Sequence, residues 1–350
     1  MTETVYTGSL ILTFSDVAEK VFFVCEAKMG QTKTAIGFIG AGVTGTALAC
    51  QLWRHGYPVV AVSSRSFASA QRLSAKIEGC AACSSPQQVA DLADAVFITT
   101  PDDIIADIAA NLKWRPDHTV IHCSGVHSTD ILEPAEKYGA HICCLHPLQT
   151  FAGIEEAVAS IPGSTFALEG DEFGLPLARD MATAMQGYII VLKAGDKVLY
   201  HAAAVTLSNY LVTLMKTAAD LWQSFGIPRE DAIKALLPLL KGTVNNIERL
   251  GIPGCLTGPI ARGDVETVRK HIAALEKDHP DAIDTYRLMG LKTLGIALSR
   301  GHLSLETAGE IRDILQGRGQ RLSSCYDDLY QEPGIDIVSG YSSASADKLV

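Results

Sequence analysis

Three glycines open a segment whose spacing suits a pyrophosphate. Gly40, Gly42 and Gly45 stand in G-x-G-x-x-G order, after a β-rich run that ends at Ile39 and before an apolar, helix-like stretch. In such a strand–turn–helix the first glycine allows a tight turn, the second lets backbone approach the phosphates, and the third allows close helix packing. The helix N-terminus then faces the negative charge. The residues predicted to bind a dinucleotide here are Gly40, Ala41, Gly42, Val43, Thr44 and Gly45. The alternative is a domain of the same shape that binds no nucleotide.

The end of the next predicted strand selects between two cofactors. An NAD site usually places Asp or Glu there to hold the ribose 2′-hydroxyl. This chain instead reads Val62-Ser63-Ser64-Arg65-Ser66. Hydroxyls and a guanidinium suit a 2′-phosphate, because arginine donates a planar fork to phosphate oxygens. Ser64 and Arg65 therefore favour NADP(H) over NAD(H), unless Arg65 is only a solvated loop residue.

Three further polar loops follow predicted strands. Thr99, Thr100 and Pro101 end one strand, and we expect them beside the ribose and diphosphate. The alternative is an ordinary strand-to-helix connection with an aspartate N-cap.

The next two loops are expected near the nicotinamide. Ser124 and Gly125 offer a hydroxyl and a backbone N–H to nicotinamide or to a substrate carboxylate. His146 offers a hydrogen bond or a proton. A lone histidine at a strand end is often structural, but convergence of several polar loops on one crevice favours a function.

A long predicted helix supplies the remaining acid–base candidates. Lys197 and His201 are four residues apart and share one face, and Asn209 lies two turns beyond His201. Lys197 or His201 is suited to protonate a carbonyl oxygen while hydride reaches its carbon, and Asn209 to orient that oxygen. The alternative is a solvated lysine and a half-buried histidine.

A glycine- and proline-shaped loop, Leu256 to Asp264, supplies two more donors. Thr257 and Arg262 are the candidates, and Arg262 suits a bidentate grip on a substrate carboxylate. Arg262 is equally placed to pair with Asp264 or Glu266.

Strand and helix patterns alternate from residue 34 to about 193, and only helices are predicted beyond 195. Alternation predicts an α/β fold, a doubly wound, mostly parallel sheet, followed by an all-α C-terminal domain. The predicted divisions are an N-terminal extension at 1–32, a dinucleotide-binding domain at 33–193, a helical substrate and dimerisation domain at 194–328, and a flexible tail at 329–350.

Composition excludes several classes of protein. The chain has 350 residues, 47% of them hydrophobic, and a net charge of −10, which argues against nucleic-acid binding. The sequence predicts neither a signal peptide nor a membrane association. Nine scattered cysteines fit reduced thiols in a cytoplasm, and the lone C-x-x-C at Cys80–Cys83 is a weak metal or redox signal, so no metal is expected.

Five segments together resemble a known family. GFIGAGVTGTAL, HCSG, CLHPLQTF, YHAAAVTLSNYLVTL and LTGPIARGD are similar to Rossmann-like oxidoreductases with a DUF2520-type helical C-terminal domain. The wider relatives are ketopantoate reductases, hydroxyisobutyrate dehydrogenases and pyrroline carboxylate reductases. In those families a lysine often precedes an asparagine by one turn, whereas Lys197 here precedes His201. The resemblance implies ketopantoate reduction with NADPH.

These observations predict an NADP-dependent oxidoreductase that moves a hydride between nicotinamide and a small oxo or hydroxy acid. One alternative is an imine reductase or amino-acid dehydrogenase that shares the cofactor residues. Another is a non-catalytic NADP-binding protein. A homodimer is expected, since the helical domain is apolar along much of its length.

Overall fold

The computed structural model describes residues 33–317, and these divide into two compact units. The first ends at Tyr210 and the second begins at Leu211. The predicted N-terminal extension at 1–32 and the predicted C-terminal tail at 329–350 lie outside the described residues. Each unit is described by itself.

One eight-stranded sheet organises the first unit. Its strands are β1 (Ile36–Ile39), β2 (Val59–Ser63), β3 (Ala81–Cys83), β4 (Ala95–Ile98), β5 (Thr119–His122), β6 (His141–Leu148), β7 (Thr165–Gly170) and β8 (Tyr188–Val191). Their spatial order is β3-β2-β1-β4-β5-β6-β7-β8, and all neighbours are parallel except β6 and β7. The order reverses beside β1, which is where such sheets bind ligands. The predicted doubly wound sheet is confirmed.

Helices connect most of these strands. They are α1 (Val43–Arg54), α2 (Phe67–Ser74), α3 (Pro86–Leu92), α4 (Asp102–Asn111), α5 (Glu133–Glu136), α6 (Ile154–Ser160) and α7 (Gly174–Ala184), with a 3₁₀ turn at Thr129–Leu132. Alternate strand residues enter two separate apolar cores, such as Phe38 in one and Ile39 in the other. The sheet is therefore covered on both faces, as period-2 side chains in a parallel sheet require.

The second unit is helical. It contains the end of α8 (Lys197–Gln223), then α9 (Arg229–Leu250), α10 (Pro259–Arg262), α11 (Val265–Asp278), α12 (Pro280–Ser299) and α13 (Leu305–Gln316). Its core is built largely from α11, α12 and α13, where Ile272, Leu294 and Ile311 are buried. Pro238 lies inside α9, which runs on through it as a single helix.

Two of these helices expose large apolar side chains. Leu199, Leu207 and Val212 on α8 and Leu239 and Leu250 on α9 face solvent in the single chain. By length and composition alone α8 would also suffice to cross a membrane, which by itself is weak support for a span.

Candidate active site

The glycine turn has the geometry that its sequence predicts. Gly40 has a φ of +119°, and a Cβ there would lie 2.7 Å from the backbone of Thr99. A Cβ on Gly45 would lie 2.5 Å from the carbonyl oxygen of Gly40, so only glycine lets α1 start this close to the turn. A Cβ on Gly42 would meet nothing within 4 Å. Gly42 is the N-cap of α1, and the N–H groups of the first turn, those of Val43, Thr44 and Gly45, have no partner within the helix.

A cleft of about 610 Å³ adjoins this turn. It is lined by Gly40, Ala41 and Gly42, by Ser64, Arg65, Ser66, Ser69 and Ser84, by Thr99, Thr100 and Pro101, and by apolar residues including Ile104 and Ile108. The buried hydroxyls of Ser63 and Thr100 have no hydrogen-bond partner. Unpaired buried hydroxyls are unusual in proteins, and these two fit a polar ligand in the cleft. Ser66, Ser69 and Ser84 add hydroxyls that the sequence interpretation did not include.

Thr99 and Asp102 brace the loops around the cleft. The hydroxyl of Thr99 donates to the carbonyl of Gly40 at 2.8 Å and so fixes the glycine turn. Asp102 begins α4, and its carboxylate accepts a hydrogen bond of 2.7 Å from the hydroxyl of Ser124. That hydroxyl also accepts the backbone N–H groups of Val126 and His127. Ser124 therefore ties the loop after β5 to the loop after β4.

His146 is held by a tyrosine that the sequence did not reveal as a site residue. Its Nδ1 lies 2.7 Å from the hydroxyl of Tyr200, and the two rings meet edge to face. Burial, with the charge of Lys197 and then His201 nearby, lowers the pKa of His146 to about 4. His146 is therefore neutral at pH 7 and keeps one ring N–H. If Tyr200 donates to Nδ1, the Nε2 atom carries that hydrogen.

Gly125 brings His146 and His201 together. A Cβ on Gly125 would lie 2.9 Å from Nε2 of His146 and 2.6 Å from Nδ1 of His201. The Nδ1 atom of His201 is buried and has no hydrogen-bond partner. Two imidazole nitrogens thus border the same backbone position, and neither leaves room for a side chain there.

Lys197 lies beneath this group. Its side chain is 1% exposed, and Nζ donates to the carbonyl of Ser124 at 2.6 Å and contacts Sγ of Cys144 at 2.7 Å. The alternative of a solvated lysine is therefore wrong. Burial raises the pKa of Cys144 to about 11, although the neighbouring lysine opposes that rise, so the thiol stays protonated.

The structure thus gathers five of the eight predicted catalytic and substrate residues: Ser124, Gly125, His146, Lys197 and His201. Asn209 is two turns beyond His201, about 12 Å along the axis, and its side-chain oxygen accepts from Ser208. Thr257 and Arg262 belong to the second unit. Arg262 is the last residue of the short helix α10. The positive charge of Arg262 helps to lower the pKa of Asp264, behind the larger effect of hydrogen bonds from Thr267.

Within residues 33–317 no group of three or more histidine, cysteine, aspartate or glutamate side chains is arranged to hold a metal ion. Cys80 and Cys83 are free thiols: Cys80 precedes the edge strand β3 and Cys83 is its last residue. Burial, and then Cys83, raises the pKa of Cys80 to about 11.

Comparison with known families agrees with this arrangement. Residues 24–147 match the Rossmann-like domain, and residues 164–293 match a domain of unknown function, DUF2520. The chain joins a Rossmann-like domain to a DUF2520 domain. The resemblance seen in the five sequence segments is confirmed. No curated protein sequence matches the chain.

Solved structures share the fold. Protein TM1727 from Thermotoga maritima is 28% identical, with a TM-score of 0.62 over 76% of this chain and 99% of that one. BF3122 from Bacteroides fragilis, described as an NADP oxidoreductase, is 23% identical, with a TM-score of 0.61 over 75% and 99%. A reductive aminase from Aspergillus terreus, solved with NADPH and ethyl levulinate, is 18% identical, with a TM-score of 0.55 over 80% and 99%.

Proposed function

We propose that this protein is an NADP-dependent oxidoreductase that moves a hydride between nicotinamide and a small oxo or hydroxy acid. The observation that carries the proposal is a single cleft. It is lined by Gly42 at the start of α1 and also by Ser64 and Arg65. Backbone N–H groups suit the pyrophosphate, and the serine and arginine suit a 2′-phosphate. The description of BF3122 as an NADP oxidoreductase and the NADPH in the Aspergillus terreus enzyme support the same cofactor.

The residues near Gly125 then handle the substrate. NADPH supplies the hydride. Neutral His146 donates a hydrogen bond to the oxygen that becomes an alkoxide, in the way that an imidazole rather than an imidazolium polarises a carbonyl. Nδ1 of His201 bonds a second polar atom of the substrate. Lys197 provides fixed positive charge beneath the same point.

The finer assignments are also proposals. Thr257 and Arg262 bind the substrate carboxylate, and Asn209 orients the substrate oxygen. Ketopantoate is the specific oxo acid that the family resemblance favours. In this division residues 33–193 bind the nucleotide, and residues 194–328 supply substrate contacts and subunit pairing.

Nucleotide binding tests the proposal first. Titration calorimetry is expected to show NADPH binding more tightly than NADH. Arg65→Ala should weaken NADPH by about 10- to 100-fold, the loss of one charge-assisted contact, and leave NADH unchanged. Arg179→Ala, at an exposed position of α7 that does not line the cleft, is the matched control. Equal loss of both nucleotides on changing Arg65 would contradict the 2′-phosphate assignment.

Turnover separates the substrate classes. We expect oxidation of NADPH with a panel of 2-oxo acids that includes ketopantoate. Reaction with cyclic imines instead would support the imine reductase alternative. A reductive aminase and a pyrroline carboxylate reductase have a similar fold, which is the reason to test that alternative. Binding without turnover of either class, with His201→Ala causing no biological defect, would support a non-catalytic NADP-binding protein.

We also propose a homodimer that covers the apolar side chains of α8 and α9. Leu199 and Leu207 are more than three-quarters exposed in the single chain, and large exposed apolar surfaces usually mark an interface. The seven cysteines within residues 33–317 are free, which supports a cytoplasmic location. Light scattering without detergent should report two chains per particle. A monomer at micromolar concentration, or a requirement for detergent, would contradict this interface.

A further inference from the structure

A carboxylate and an ammonium are buried beside the same thiol in the first unit. Glu169 on β7 is 7% exposed, and Lys197 is 1% exposed. Glu169 is paired in the sheet with Cys144 on β6, and Sγ of Cys144 contacts Nζ of Lys197. Paired residues on adjacent strands present their side chains to the same face. Glu169 and Lys197 therefore both border Cys144.

Neither charge has an opposite charge in hydrogen-bond contact. Nζ of Lys197 touches a carbonyl oxygen and a protonated thiol. One oxygen of Glu169 accepts the N–H and hydroxyl of Thr129 at 3.3 and 3.2 Å, and its other oxygen, Oε2, is buried without a partner. Isolated buried charges are strongly unfavourable unless an opposite charge compensates them.

The other ionisable groups around Lys197 do not supply a buried negative charge. Burial lowers the pKa of His122 to about 3 and that of His146 to about 4, so both are neutral. Burial raises the pKa of Tyr200, which is also neutral. Asp102 is exposed and already accepts a hydrogen bond from Ser124. Of these groups Glu169 is the one that places a buried carboxyl beside Cys144.

We propose that Glu169 is the counter-charge that keeps Lys197 in place as an ammonium beneath the site. It is a positioning residue: it acts on the reacting groups through Lys197 and does not itself touch substrate. Attraction across a dry interior is much stronger than across water, so direct contact is not required. The effect on turnover rests on the proposed function, whereas the coupling between the two charges does not.

Two substitutions separate charge from shape at this position. Glu169→Gln keeps the shape and the acceptor for Thr129 but removes the charge. Glu169→Asp keeps the charge and shortens the side chain. Thr129→Val is the matched control, because it removes the hydroxyl contact and leaves both charges intact.

A double-variant cycle measured by chemical unfolding of the nucleotide-free protein tests the coupling. Combining Glu169→Gln with Lys197→Met should give an unfolding equilibrium constant about tenfold smaller than the product of the single effects predicts. Lys197→Met should change the unfolding equilibrium constant by about the same factor in a Glu169→Asp or Thr129→Val background as in the wild type, because both backgrounds keep the charge of residue 169. Single effects that multiply to within about twofold for Glu169→Gln would overturn the proposal.

Two further readouts keep the test decisive. If both single variants, Glu169→Gln and Lys197→Met, fail to fold, recovery of folding in the double variant supports the pairing, and continued loss overturns it. In the folded protein, Glu169→Gln should lower kcat at unchanged NADPH affinity, and Glu169→Asp should restore part of it. Wild-type kcat in Glu169→Gln together with a loss in Glu169→Asp would mean that the shape of the side chain matters and not its charge, and would overturn the proposal. Absence of turnover in the wild type would contradict only the proposed function, because the unfolding cycle is measured without substrate.

Discussion

His122 should make the unfolding free energy fall as the pH drops below 6.5. Burial, followed by the nearby charge of Lys197, lowers its pKa to about 3, and the same two causes lower that of His146 to about 4. In the unfolded chain a histidine titrates near pH 6.5. Between the folded and unfolded values the unfolded chain binds protons that the folded chain excludes. Stability from these residues is therefore complete above pH 6.5 and is lost as the pH falls towards 4.

The size of the effect follows from the shifts. Each unit of pKa difference corresponds to about 1.4 kcal/mol, so one such histidine costs about 3 kcal/mol between pH 6.5 and pH 4. His122→Asn removes that titration while keeping an acceptor for the backbone N–H of Ser124, which Nδ1 of His122 accepts in the native protein. The variant should lose stability at pH 7 but show a shallower pH dependence than the wild type.

The assay is urea unfolding, followed by circular dichroism at half-unit steps from pH 7.5 to pH 4. The quantity of interest is the difference in unfolding free energy between wild type and His122→Asn, in which the carboxylates common to both proteins cancel. That difference should shrink by about 3 kcal/mol from pH 6.5 to pH 4. Parallel curves would refute the inference that His122 is held neutral by burial.

The same geometry makes three other predictions. Gly125→Ala would place a Cβ 2.6 Å from His201 and 2.9 Å from His146, so steady-state turnover should fall roughly 100-fold while calorimetry finds NADPH affinity unchanged. Tyr200→Phe removes the partner of His146 Nδ1 and should lower kcat roughly 5- to 30-fold, with the thermal midpoint within a few degrees of wild type. Asp102→Asn weakens the acceptor for the Ser124 hydroxyl and should raise KM more than it changes nucleotide affinity, as measured by initial rates and calorimetry.

The parts of the site that could be predicted are those that local sequence determines. The turn at Gly40 depends on residues next to it in the chain, and its backbone conformation follows from glycine itself. The proximity of Ser124 and His146 follows from the parallel pairing of β5 and β6. The expectation that His146 lies in a loop is wrong, because β6 continues past the end of β5 to Leu148 and includes His146. Strand β3 was missed, since Ala81 and Ala82 have little strand propensity and the strand is three residues long.

The contacts that sequence did not reveal join residues far apart in the chain. Tyr200 meets His146 across 54 positions, and Lys197 meets Cys144 across 53. Cys144 lies buried in β6, and nothing in its own segment indicates a lysine beside it. The only available signal was the spacing of Lys197, Tyr200 and His201 within one turn of helix.

Within this one turn of α8, Lys197 and His201 contact different parts of the loop after β5. Lys197 extends its long side chain to the carbonyl of Ser124 under the loop, whereas the ring of His201 stops beside Gly125 above it. The two side chains share a helix face, but they reach different atoms because their lengths differ. A catalytic lysine carried over by resemblance would be expected at the substrate, yet this lysine is enclosed by the loop. In the function proposed above, direct contact with substrate therefore falls to His146 and His201, and the lysine acts by its charge.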